Sequence, residues 1–387
     1  MHLNQYVGYD GPSRGIMGQV KYMDRERFQP VICEIKSTKH HELVNEVKDI
    51  GCEHVTLGRD RSYDLSIIVR VAFLLKRRKI DILNTHNAIA CWYGNTAARI
   101  AGVPVVFTLR NNQRANYKLL LKKRTLYETA RLLDRVAMKI ADKTVAVSKR
   151  LERFYIEHEG IPAEKIMTIT NAIDLETVDP YVGDGARRDA RQRMGIRQDT
   201  AVIGIVGDLV ERKGHACLIK AARSVMKTHA DVVFLIVGDG PLRADLARRV
   251  SEDSLADHVV FAGHVKNAFP LLAAMDIFVL PSVAEGISRA LMESMAIGMP
   301  SVCSAIDGNL DAVDDGEMGF IFPVDNDEIL ADRLLVLIAN EDLRKEMGEK
   351  ARERAKEKFG MRKLARAYEE LYVDMIRIHS RRRLRDR

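Results

Sequence analysis

The 387 residues contain no run of about 18 apolar side chains, so no transmembrane helix is expected. The opening residues Met1 to Gly8 have neither a basic n-region nor an apolar core, so no secretory signal is expected either. Cysteine is scarce. Cys33, Cys52, Cys91, Cys217 and Cys303 are odd in number, scattered, and never in C-x-x-C spacing. That pattern argues against a disulfide framework and a zinc site, and points to a reducing cytosol. Aromatic residues make up only 6% and do not interleave with the basic stretches, which disfavours nucleic acid as a partner. No D-x-D pair closes a strand. Asp314-Asp315 lies in a turn-like segment, and no metal is expected. Internal repeats and low-complexity blocks are also missing.

The chain does have enough length for two domains, each with its own core. Its 47% hydrophobic and 30% charged content is that of a soluble globular protein. The net charge of +7 is unevenly placed: residues 71–150 hold 17 Lys and Arg against 4 Asp and Glu. Ordinary surfaces intersperse both signs, so this bias is read as a positive face for anionic lipid or phosphorylated acceptors. From Arg110 to Lys143 the chain mixes Leu and Ala with Lys and Arg, around Tyr117 to Arg124. Such a basic amphipathic helix suits an anionic membrane surface.

Short apolar runs alternate with helical stretches throughout. In the first half, 31–35, 80–84, 103–108 and 143–147 read as strands. Gly11-Pro12-Ser13-Arg14-Gly15 is a glycine-bounded segment that follows residues 1–7. In the second half the runs end in glycine: Val206-Gly207-Asp208, Val237-Gly238-Asp239-Gly240 and Phe261-Ala262-Gly263-His264-Val265. Such spacing predicts α/β architecture with doubly wound parallel sheets. The next strand, 276–280, is closed by Pro281 and feeds Glu285-Gly286-Ile287-Ser288 and a helix over 288–297, which Gly298 and Pro300 end. A strand, a glycine turn and a helix start make a place where backbone N–H groups can receive an anion. Glu285 and Glu293 flank that transition with seven residues between them, suited to different parts of one extended ligand.

In order and spacing these segments resemble the retaining glycosyltransferases of the GT-B fold, family 4, over most of the chain from Leu83 to Tyr372. The resemblance implies two facing Rossmann-like domains with parallel sheets, and a C-terminal helix crossing back to the first. The expected boundaries are 1–180 for an acceptor domain, 181–199 for a polar linker, 200–360 for a nucleotide-sugar domain, and 361–387 for the crossing helix and a frayed basic tail. A nucleotide-diphosphate sugar, of UDP or GDP type, is the implied donor, with no further cofactor. Arg212 and Lys213 then bind its phosphates without a metal, aided by the helix start at Gly286, Ile287 and Ser288. Glu293 takes the ribose hydroxyls, which suit a carboxylate acceptor, and Glu285 faces the hexose. Gly263 and Val265 bring backbone polar atoms to the base edge, and Gly15 sits at the first domain's glycine turn. His86, ending its strand, is the expected cleft residue from the first domain.

Two positions depart from the family pattern. Asp208 stands where many members carry Arg, and Arg110 follows Thr108-Leu109 where a His is common. Arg110 can pair a phosphate but cannot act as a base near neutral pH. Ser148, in Val147-Ser148-Lys149, reads as a helix cap. The implied activity is hexosyl transfer to a lipid-linked or lipopolysaccharide-type glycan, on a protein in the cytoplasm and peripheral at the inner membrane face. Transfer to a soluble sugar or metabolite, or epimerisation of a nucleotide sugar on the same fold, are the alternatives.

Overall fold

Every strand pairing among the described residues is parallel, and each strand is followed by a helical return. The computed structural model describes residues 1–8, 11–37, 41–58, 64–109 and 124–385. These divide into two units, Met1–Ala172 with Met361–Arg387, and Ile173–Gly360. The first holds β1 (His2–Asn4), β2 (Val31–Glu34), β3 (Glu53–Thr56), β4 (Leu83–His86), β5 (Val105–Leu109), β6 (Lys143–Ala146) and β7 (Ile166–Thr168). They lie in the order β3-β2-β1-β4-β5-β6-β7. The second holds β8 (Ala201–Val206), β9 (Val232–Val237), β10 (Val259–Gly263), β11 (Ile277–Leu280), β12 (Ser301–Ser304) and β13 (Gly319–Phe322), in the order β10-β9-β8-β11-β12-β13.

In both sheets the chain winds outward on one side, returns past its starting strand, and winds out on the other. Helices therefore cover both faces, and strands such as Val232–Val237 (VVFLIV) are apolar on successive residues rather than alternating. In the second unit, Ile203, Phe234 and Ile236 pack on one face while Leu235, Phe278 and Leu280 pack on the other. The point where winding reverses, between β8 and β11, is where a doubly wound sheet leaves a crevice beyond its carboxyl ends.

The C-terminal helix Met361–Arg385 belongs to the first unit. Met361, Leu364, Tyr368 and Tyr372 join the apolar layer containing Ile16, Val20 and Val106. The Tyr372 hydroxyl accepts from Asn84 Nδ2 at 2.7 Å and Gln19 Nε2 at 3.1 Å, and Tyr368 meets Thr108 Oγ1 at 3.2 Å. Polar tips thus satisfy buried groups while the rings fill the layer.

Four expectations need correction. The stretch 181–199 is not a loose linker, because Asp184–Met194 is a helix within the second unit. Its arginines are used internally: the fully buried Arg191 donates to Asp276 Oδ2 at 2.5 Å and to the carbonyls of Ala274, Gln198 and Thr200. Arg187 reaches Asp276 Oδ1 at 2.8 Å, and Asp276 also accepts the Val202 N–H. Composition alone reads such residues as solvated. Second, the first helix starts at Gly11, so Gly15 lies inside the helix Gly11–Lys21 and not in the turn before it. Third, the tail continues as helix to Arg385 instead of fraying after Ile378. Fourth, β4 runs 83–86, three residues later at its start than the apolar run at 80 suggests. Of the basic segment 110–143, the later part is the helix Arg124–Ile140, whereas Arg110 and its neighbours to 123 lie outside the described residues.

Removing Arg191 leaves the Asp276 carboxylate, just before β11, with Arg187 as its one cationic partner beside the Val202 N–H. Arg191→Ala is expected to lower stability by about 3 kcal/mol in urea unfolding, as for one partner of a buried ion pair. A loss below about 1 kcal/mol contradicts that role.

Candidate active site

The candidate residues of the second unit emerge from the two strands that flank the reversal. β8 and β11 pair directly, with Ile277 opposite Ile203 and Phe278 opposite Gly204, so both chains leave the sheet at the same edge. After β8, the chain makes a single turn at Glu211–Lys213, and Gly214 joins it to the helix His215–Met226. Gly214 has φ +71°, and a Cβ there would lie 2.0 Å from the Pro281 carbonyl oxygen. Only glycine allows this approach. The Arg212 carbonyl accepts the Val283 N–H at 2.9 Å, so the two loops are also joined through backbone.

Across that seam the side chains meet. Glu285 Oε1 accepts from Arg212 Nη1 at 2.5 Å and pairs with the Lys213 ammonium, Nζ lying 2.7 Å away. Lys213 and Glu285 are 9% and 12% exposed and Arg212 34%, so the carboxylate and ammonium are largely withdrawn from water while the guanidinium stays open to it. Behind the turn, Gly308 packs so closely that a Cβ would sit 1.9 Å from the Gly286 carbonyl oxygen. The glycine turn is therefore backed by rigid main chain.

Ser288 is the N-cap of the helix Arg289–Ile297, yet its hydroxyl makes no capping bond to the helix. Glu293, one turn in, accepts from Arg289 Nε at 2.6 Å and is 10% exposed. Each acid of the pair thus has a cationic partner: Arg212 and Lys213 for Glu285, Arg289 for Glu293. Gly263 ends β10 with φ +72° and open space on its Cβ side, and its carbonyl accepts the Gly238 N–H. Val265 packs into the apolar layer that also holds Ile287 and Leu291. Asp208 is exposed at the end of β8, where its carbonyl accepts the Val210 N–H.

His215, the first residue of its helix, is 1% exposed, and neither ring nitrogen has a hydrogen-bond partner. Burial, reinforced by the Lys213 charge, pulls its pKa down to about 4. Nothing in its sequence setting singled it out beyond adjacency to Arg212-Lys213-Gly214. Arg289 was missed as well, and its signal was only the i, i+4 spacing to Glu293.

The first unit treats its candidates differently. His86 ends β4 but is wholly buried, stacked on His2 with ring centroids 5.3 Å apart and Nε2 3.1 Å from His2 Nδ1. Direct contact with a ligand, the expectation for a strand-end His, does not fit that enclosure. The next residue, Asn87, has φ 75°, caps the following helix through Ala90 N–H, and donates to Asn4 Oδ1 at 2.6 Å. Ser148 is a helix cap as expected, accepting the Leu151 N–H at 3.2 Å.

Comparison with known proteins agrees with this architecture. The model of the Glycosyltransferase Family 4 matches residues 9–177, and that of Glycosyl transferases group 1 matches residues 186–354. UDP-Gal:alpha-D-GlcNAc-diphosphoundecaprenol alpha-1,3-galactosyltransferase of Escherichia coli is 28% identical over 335 residues, 84% of this chain and 82% of its own. N-acetyl-alpha-D-glucosaminyl L-malate synthase of Bacillus anthracis is 28% identical over 324 residues, 81% and 80% of the two chains. Among solved structures, HepE of Anabaena in complex with UDP and glucose superposes with a TM-score of 0.81 at 20% identity, over 96% of this chain and 98% of that one. The chain belongs to the GT-B glycosyltransferases, a hexosyltransferase built from two Rossmann-like halves.

Because His215 keeps its neutral form when folded, the unfolded chain binds a proton that the folded chain refuses as pH falls below about 6.5. Its contribution is complete above that pH and is lost progressively down to about 4. The difference in unfolding free energy between His215→Gln and the parent is expected to shift across this window by at most about 1.4 kcal/mol per pH unit. Parallel profiles for the two proteins contradict a buried neutral imidazole.

Proposed function

We propose that this glycosyltransferase moves a hexose from a nucleotide-diphosphate donor to a lipid-linked or lipopolysaccharide-type glycan at the cytoplasmic face of the membrane, with the anomeric configuration retained. The observation that carries the donor side is the convergence of Arg212, Lys213 and Glu285 at the carboxyl ends of β8 and β11. The difficult part of glycosyl transfer is the departure of a diphosphate, which accumulates negative charge as the bond to the anomeric carbon breaks. Two fixed cations, one largely shielded from water, are placed to hold that charge without reorganising. The helix start at Gly286, Ile287 and Ser288 adds N–H dipoles on the same side.

The other parts of the donor follow along the same edge. Glu293 accepts the ribose hydroxyls, Gly263 and Val265 border the base through main-chain atoms, and Glu285 accepts from hexose hydroxyls as positive charge develops at the anomeric carbon. The first unit supplies the acceptor surface. Asn87 lies at the end of β4 with buried His86 as a positioning residue beneath it, and Gly15 lies in the first helix. A UDP-type donor is supported by the UDP-Gal donor of the Escherichia coli relative.

The acceptor reading rests on the same relative, whose acceptor is a diphosphoundecaprenol-linked sugar, and on the surface of the first unit. The helix Ala88–Ala101 packs against both Ser66–Arg77 and Arg124–Ile140. These three helices leave Val69, Phe73, Ile100, Leu132 and Val136 exposed, with Arg70, Lys76, Arg77, Arg124 and Lys139 exposed among them. Apolar side chains set among cations suit an anionic lipid surface, each cation adding roughly 1 kcal/mol near it. None of the described helices is long and apolar enough to cross a membrane. The malate-using relative keeps transfer to a soluble acceptor as the second reading.

Thermal shift with a panel of UDP-, GDP- and ADP-sugars, followed by transfer assays on lipid-linked and soluble acceptors, separates these readings. Glu293→Ala is expected chiefly to raise the donor KM, because ribose contacts persist in ground and transition states. Glu285→Gln should chiefly lower kcat, and Arg212→Ala or Lys213→Ala should lower turnover by about two to three orders of magnitude. Transfer is expected to persist in EDTA. Near-normal kcat in Glu285→Gln, strict dependence on added Mg²⁺ or Mn²⁺, or inversion in NMR of the fresh product each contradict the mechanism.

Membrane docking has its own test. Phe73→Ser combined with Leu132→Ser should reduce co-sedimentation with vesicles containing phosphatidylglycerol several-fold without changing melting. Unchanged sedimentation removes the lipid surface from the reading.

A further inference from the structure

We infer that Glu285 is a competitor of the donor's diphosphate, so that donor binding is an exchange of one anion for another on Arg212 and Lys213. This inference rests on the donor site proposed above and adds a second part for its acid. A single oxygen, Glu285 Oε1, meets both cations: it accepts a hydrogen bond from Arg212 Nη1 at 2.5 Å and forms an ion pair with Lys213 Nζ at 2.7 Å. Those are the donors that a diphosphate needs.

Sharing is disfavoured on both sides. Lys213 is 9% exposed, so few directions remain from which a second anion can approach its ammonium. A carboxylate and a phosphate brought to within about 4 Å of one another in a partly desolvated site repel strongly. The Arg212 side chain, 34% exposed, is the more accessible of the two cations and offers the first foothold. The phosphates then displace Glu285 from Lys213, and the released carboxylate turns to the hexose hydroxyls.

The loops are built so that the carboxylate is what moves. Val283 N–H to the Arg212 carbonyl, Gly214 against the Pro281 carbonyl and Gly308 against the Gly286 carbonyl hold the main chain on each side of the seam. Side-chain rotation of Glu285 is the remaining freedom at low cost. Only an intact nucleotide sugar offers the released carboxylate a new set of donors. A nucleoside diphosphate alone displaces Glu285 and returns nothing to it, so product is held less tightly than two cations alone would hold it.

The test is the affinity of UDP and of GDP, measured by calorimetry on the full chain. Glu285→Gln keeps the side-chain shape but removes the competing charge. It is expected to bind whichever nucleotide the parent binds about three- to tenfold more tightly, even as its kcat falls. Glu285→Ala, a second variant, should show the same sign. The gain should vanish when Lys213→Ala and Arg212→Ala are added, since no contested cation is left. Equal or weaker nucleotide binding by both Glu285 variants, or a gain that persists without the cations, overturns the exchange while leaving the donor site standing. Failure of the parent and every variant to bind UDP or GDP overturns the donor site and the exchange together.

Discussion

The second unit's site depends on one electrostatic contact, the meeting of the Glu285 carboxylate with Arg212 and Lys213 across the seam between β8 and β11. Three charges at this separation would be costly to bury one at a time, and together they neutralise most of that cost. Their encounter brings together Arg212 and Glu285, 73 residues apart in sequence, and needs the loops that carry them to run side by side. That in turn needs the close passage of Gly214 against Pro281 and of Gly308 against Gly286. The chemistry of the site and the packing of its backbone are therefore one constraint.

The topology explains why such a contact arises here and at no other edge of the sheet. Winding reverses only between β8 and β11 in this sheet, so only there do the helices that follow neighbouring strands pack on opposite faces and leave room for a ligand beyond the joined loops. The neighbouring strand ends contribute main chain: Gly238 and Gly263 are joined by a hydrogen bond between β9 and β10. Meanwhile the amino ends of the strands carry the buried Arg191–Asp276 cluster, which anchors the helix Asp184–Met194 beneath the sheet. The buried ion-pair cluster and the candidate ligand site are thus placed at opposite edges of the sheet.

Much of this was legible in the sequence because hydrophobic runs and glycine endings report directly on buried parallel strands. β8, β9, β10 and β11 were all read where they occur, and the helix starting at Ser288 was placed to within one residue. The residues that come together, Arg212, Lys213 and Glu285, were named from their order, although nothing local shows that all three share one carboxylate oxygen. What escaped reading did so for physical reasons. The arginines of 184–194 look solvent-loving, and only their partner Asp276, remote in sequence, makes them a core. β3, β12 and β13 are short, and Glu53–Thr56 is only half-buried, so no apolar run marks it. His86 carries the same side chain whether it faces a ligand or stacks on His2, and periodicity cannot tell those apart. Gly15 was displaced from its expected turn because the first helix begins four residues earlier, at Gly11.

The central claim is that the cations beside Glu285 receive a nucleotide's phosphates. A crystal structure of the protein with UDP or GDP bound tests it most directly. The expected result is phosphate oxygens within hydrogen-bonding distance of Arg212 and Lys213, the ribose hydroxyls on Glu293, and the Glu285 carboxylate turned away from Lys213. A nucleotide seated elsewhere, or phosphates that leave the Glu285–Lys213 contact intact, would contradict it.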